Sequence, residues 1–78
     1  MMTARQKRIQ RYVDHKLAPA VLGATEYSSI AYYGDGVWET VQLTHTPDDP
    51  RKKKLPMLRV DVTGLDELGI YKAVGDAL

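Results

Sequence analysis

The chain has 78 residues, no cysteine and a net charge of +1, from 11 Lys and Arg against 10 Asp and Glu. That is one domain, residues 1–78, and since a domain of about 60 residues buries only roughly 60% of its unfolded surface, with disulfides and thiolate metal sites excluded, self-association is the expected supplement to a thin core. The apolar stretches are short and interrupted by charge and the N-terminus has no apolar signal core, so neither a membrane span nor a secretory leader is expected and the chain reads as cytoplasmic.

The first segment is basic, with Arg5, Lys7, Arg8, Arg11 and Lys16 against only Asp14 in residues 1–16. Within it Ile9, Val13 and Leu17 recur at four-residue steps with Tyr12 beside them, which predicts an amphipathic helix over residues 3–17 with a narrow apolar stripe. Pro19 disfavours helical geometry at Ala18, so the chain is predicted to turn there, with Gly23 as a second break.

Two β-prone runs then flank a glycine turn, giving strands near residues 25–33 and 37–46. A two-residue Asp35-Gly36 loop matches the twist of a hairpin and sets Tyr33 opposite Trp38, Tyr32 opposite Glu39 and Ile30 opposite Val41. One face then carries Ile30, Tyr32, Val37, Val41 and Leu43, with Glu39 as its only charge; the other carries Tyr27, Ala31, Tyr33, Trp38, Thr40, Gln42 and Thr44. A three-residue loop would mix apolar and polar positions on both faces, because a slip of one residue exchanges them. Glu39 is expected at the edge of the apolar face, reaching water and accepting a hydrogen bond from Tyr32 or a nearby base.

Residues 47–56 form a long polar connection with three prolines, in which Asp48 and Asp49 precede the run Arg51-Lys52-Lys53-Lys54. Loops of that length in small domains are commonly functional or disordered. His45 with Asp48 and Asp49 is a loose set of oxygen and nitrogen donors, read as a solvated loop and not as a metal site. Leu58, Val60 and Val62 alternate with Arg59 and Asp61 in a third strand. Thr63 is placed to cap a last helix, with Asp66 three positions on. Leu65, Leu68, Tyr71, Val74 and Leu78 recur at helical steps, while Gly69 and Gly75 predict that this helix is broken or bent, with Gly69 able to end a short first piece.

The order is α-β-β-β-α, and an α+β fold with a three-stranded antiparallel sheet and two helices packed on one face buries all of these stripes. Double-stranded RNA-binding domains share that order, but they grip phosphate with a lysine-rich start to the second helix. Here the corresponding Thr63-Gly64-Leu65-Asp66-Glu67 is acidic, and order alone assigns no family.

The open sheet face is the principal candidate surface, with Tyr33 and Trp38 as contact residues and Tyr27 and Arg59 beside them. Exposed aromatics of this kind serve protein interfaces and also stack unpaired bases. Two functions follow. The first is a non-enzymatic interaction module, a homodimer or a subunit docking on a protein partner. The second is nucleic-acid binding, with Arg51, Lys52, Lys53 and Lys54, aided by Arg5, Arg8 and Arg11, neutralising phosphates. No cofactor and no metal is expected. Ser28 and Ser29 have no base beside them, and Gly34 and Gly36 belong to a hairpin and open no helix.

Overall fold

Thr3 opens the first helix with a reciprocal cap: its hydroxyl accepts from Gln6 N at 3.1 Å, and Gln6 Oε1 accepts from Thr3 N at 2.7 Å. The structure, a computed structural model, describes residues 2–78. Helix α1 (Ala4–Tyr12) passes without a bend in backbone type into a π-helical segment, Val13–Leu17, and on into α2 (Ala18–Leu22).

The expected turn at Ala18 therefore does not form. A proline inside an α-helix clashes with the carbonyl four residues back and offers no N–H. The wider turn, in which Ala18 N donates to Val13 O five residues earlier, relieves that contact, and Pro19 falls in the first turn of α2. The same turn restores the phase of the apolar stripe. Four-residue steps overrun an α-helix by about 40° each at 3.6 residues per turn, so Ile9, Val13, Leu17 and Val21 would spiral off the core. With the extra residue in the turn, all four are buried. Gly23 ends the rod, as its position suggests.

The sheet is antiparallel in the order β1 (Ser29–Gly34), β2 (Glu39–Thr44), β3 (Leu58–Asp61). β1 and β2 pair with Tyr32 opposite Val41, Tyr33 opposite Thr40 and Gly34 opposite Glu39. This differs by two residues from the pairing that a two-residue loop requires. Asp35 causes the difference: its Oδ1 accepts from Val37 N and Trp38 N, each at 2.8 Å, and its N donates to Trp38 O, so the turn spans residues 35–38. Gly36 holds a φ of +92° within it. A slip of two residues leaves each side chain on its face, so the division of Ile30, Tyr32, Val41 and Leu43 from Ala31, Tyr33, Thr40, Gln42 and Thr44 stands. Val37 leaves the apolar set and lies exposed in the turn, and Trp38 is a turn residue and not a strand partner of Tyr33.

After β3, Val62 is fully buried and the chain reverses at Gly64, whose φ is +75°. The cap of the last helix, α3 (Glu67–Ala77), is Asp66 and not Thr63: Asp66 Oδ1 accepts from Gly69 N at 2.7 Å. Because the helix begins at Glu67, Gly69 sits in its first turn and cannot end it, and α3 runs unbroken past Gly75. Its buried side chains are Ile70 and Val74, while Leu68, Tyr71 and Leu78, expected in the core stripe, are exposed.

One cluster joins Ile9, Val13, Leu17 and Val21 of the rod to Ile30, Tyr32, Val41, Leu43, Val60 and Val62 of the sheet and to Ile70 and Val74 of α3. The strand members share one face, so both helical elements pack on that face and the other is left open. No helix among the described residues is long and apolar enough to cross a membrane.

Candidate functional site

The open face is built from small and polar side chains in register, with Ala31, Gln42 and Arg59 in one row across the sheet and Tyr33, Thr40 and Asp61 in the next. Trp38, two positions before Thr40, lies beyond the second row, in the turn. Tyr33 and Trp38 line one depression of about 300 Å³ with Gly34, Asp35 and Thr40. Tyr33 is 56% exposed and Trp38 65%, so two of the largest side chains in the chain give up most of their burial there. The sequence pairs these rings across the hairpin; the structure brings them together over the end of the sheet instead.

Arg59 is exposed on this face and forms no ion pair among the described residues. Asp61, two residues on, accepts from Thr63 N at 2.9 Å and Thr63 Oγ1 at 2.7 Å, and those bonds hold its carboxyl below the ordinary value. The face thus presents one cation and one anion side by side.

Tyr27 does not join Tyr33 and Trp38. It precedes β1 at the end of the sheet away from the turn, and its hydroxyl donates to Pro56 O at 3.1 Å. Its ring stands edge-on to His45 with centroids 6.5 Å apart. His45 is itself buried, and its Nδ1 accepts from Leu55 N at 2.8 Å. His45 is therefore not part of a solvated loop: with Tyr27 it fastens the C-terminal end of the 47–56 connection to the sheet.

The basic run is partly neutralised by its own neighbours. Arg51 bonds Asp49 at 3.1 Å and Lys52 lies 3.0 Å from Asp48, while Lys53 and Lys54 are exposed without an ion partner among the described residues. Among those residues no three His, Asp or Glu side chains converge on a metal-sized site.

Arg5 is separated from Arg8 and Arg11 by its role. Its guanidinium bonds Glu39 and donates to Leu65 O at 2.6 Å, tying the start of α1 to the head of β2 and to the approach to α3. Glu39 does not reach water. It is 7% exposed and accepts from Arg5, from the Tyr32 hydroxyl and from Gly64 N at 2.9 Å, and its own N donates to Thr63 Oγ1. Burial acts to raise the Glu39 carboxyl, but the bonds from Arg5, Tyr32 and Gly64 overcome it and hold the group below its ordinary value. Burial and the bond to Glu39 push the Tyr32 hydroxyl up to about 12. No buried side-chain polar atom in this cluster lacks a partner, and its chemistry is that of a structural clasp.

No protein-family model matches the chain, and the comparisons find no similar curated protein and no similar solved structure.

Proposed function

We propose that the chain works by binding and not by catalysis, as a self-associating module in which the open sheet faces of two copies meet around Tyr33 and Trp38. The observation that carries this reading is the pair of largely exposed rings over one depression on an otherwise polar sheet. Aromatic side chains that become buried on association dominate interface energetics. A twofold contact must be self-complementary, and Arg59 beside Asp61 supplies the required pair of charges, each able to face its opposite on a second copy. Docking on a different protein through the same face is the nearest variant.

Nucleic-acid binding is the second reading, and the exposed Lys53 and Lys54, without an ion partner among the described residues, favour it. Against it, Arg5 is committed to Glu39, and Asp48 and Asp49 occupy Lys52 and Arg51.

Sedimentation equilibrium of the wild-type chain and of Trp38→Ala separates these readings. Self-association through this face gives a dimer that reverts to a folded monomer in the variant. A wild-type monomer that binds single-stranded DNA or RNA, weakened by charge reversal at Lys53 and Lys54, moves the function to the second reading.

A further inference from the structure

On the opposite side of the molecule from the sheet face, the helical layer carries a second unpartnered surface. A groove of about 280 Å³ is lined by Arg8, Arg11 and Tyr12 of α1, His15 and Lys16 of the π-helical segment, and Glu67 at the start of α3. Leu68 and Tyr71 continue the surface along α3 at 60% and 47% exposure. Tyr12 is half-buried; burial, then the nearby Glu67 and Tyr71, push its hydroxyl above the ordinary value. Among the described residues none of Arg8, Arg11 and Lys16 forms an ion pair.

We infer that this groove docks an acidic segment of a partner protein, with an apolar side chain seated over Tyr12 and carboxylates facing Arg8, Arg11 and Lys16. Three features select that occupant. The groove is the size of one or two side chains and is floored by an aromatic ring and by the stems of long cationic residues, so it favours an apolar anchor. Its rim supplies three cations with no ion-pair partner among the described residues, so the segment around the anchor is acidic. Glu67 stands in the rim with Asp66 next to it near Arg8, and both would repel a continuous phosphate backbone, whereas a peptide can space its carboxylates around them.

The π-helical turn shapes the site. The turn that returns Val13 and Leu17 to the core also sets the course of His15 and Lys16 relative to Arg8 and Arg11 on the outer side. π turns inside α-helices are frequently found at functional sites. The surface is independent of Tyr33 and Trp38, so a chain using both would join two copies on one side and carry a partner on the other.

The test is selection of a randomised 16-residue peptide display library on the full chain, followed by affinity measurements on the enriched peptides. Expected are peptides rich in Asp and Glu around Leu, Phe or Trp, weakened at least tenfold by the double variant Arg8→Glu, Arg11→Glu and several-fold by Leu68→Ser, and unchanged by Trp38→Ala. All four altered positions are exposed, so circular dichroism should stay at the wild-type signal. Three results would overturn the inference: no enrichment over an unrelated protein, enriched peptides with no acidic bias, or binding indifferent to the double variant. Peptides lost in Trp38→Ala alone would also overturn it while supporting the sheet face. Duplex DNA that binds through Arg8 and Arg11, with no acidic peptide displacing it, would assign the groove to nucleic acid instead.

Discussion

Arg5 Nη2 lies 3.0 Å from Glu39 Oε1, joining the first turn of α1 to the head of β2 across 34 positions of sequence. Removing one partner of a buried pair leaves the other charge uncompensated, at about 3–5 kcal/mol for full burial. Arg5 keeps a third of its side chain in water, so the cost is smaller here. Glu39→Gln should lower unfolding free energy by about 2 kcal/mol, and Tyr32→Phe, which removes one donor to the carboxylate, by about 1.5 kcal/mol. Urea denaturation checks both, and a loss below about 0.5 kcal/mol for Glu39→Gln would place the clasp among ordinary surface pairs.

The same clasp sets the pH range of stability. Glu39 has a depressed carboxyl when folded, so its contribution is present above the unfolded value, about 4.3, and is lost as pH falls through the lower folded value. Tyr32 is raised from 10.0 to about 12, so the folded state holds that proton more tightly and stability falls as pH rises from about 10 towards 12. Thermal unfolding from pH 3 to 11 should show a plateau between pH 5 and 9.5 and a decline on each side. In Tyr32→Phe the alkaline decline should shrink; an unchanged decline would remove Tyr32 as its source.

Two glycines should respond in opposite directions. A Cβ on Gly34 would stand 2.7 Å from the Tyr32 hydroxyl and 3.2 Å from Gln6 Nε2, so Gly34→Ala must displace the clasp and should cost about 1–3 kcal/mol. Gly75 lies within α3 with nothing within 4 Å of an added Cβ, and Gly75→Ala should stabilise by about 0.5–1 kcal/mol. Calorimetry on the two variants reads both signs, and a stable Gly34→Ala would contradict the close approach.

The position of Trp38 depends on Asp35. The Asp35 carboxylate takes the Val37 and Trp38 amides, and those bonds hold its carboxyl below the ordinary value. Asp35→Ala should loosen the turn, speed amide exchange at Val37 and Trp38, and weaken self-association while leaving the sheet intact. Unaltered exchange at both amides would show that the turn is held by other contacts.

The two faces of the hairpin are legible in the sequence because side chains alternate with period two, and a two-residue change in pairing preserves that alternation. The length of the turn is not, since it rests on a carboxylate choosing two amides over solvent. Pro19 is misleading by local rules, yet three consecutive four-residue steps from Ile9 to Val21 are a readable sign that the helix must be underwound. Leu68 and Tyr71 read as core because periodicity cannot tell which of two adjacent apolar stripes on α3 meets the sheet; Val74 is buried as its position in the predicted stripe suggests, and Ile70, outside that stripe, is buried with it. For the same reason the groove beside Tyr12 is not visible in sequence, although its cations are. Arg5 and Glu39 are each conspicuous, one among basic residues and one on an apolar face, but their pairing depends on the tertiary fold.

Trp38 is the only tryptophan in the chain, so its fluorescence reports directly on the proposed interface. At 65% exposure in the single chain, it should emit at long wavelength and be quenched freely by iodide at low concentration. Self-association through the sheet face should shift the emission to shorter wavelength and protect it from iodide as concentration rises, with the same midpoint as the increase in sedimentation mass. Emission and quenching that stay constant while the mass doubles, or a mass that stays monomeric throughout, would contradict the assignment of Tyr33 and Trp38 to the contact.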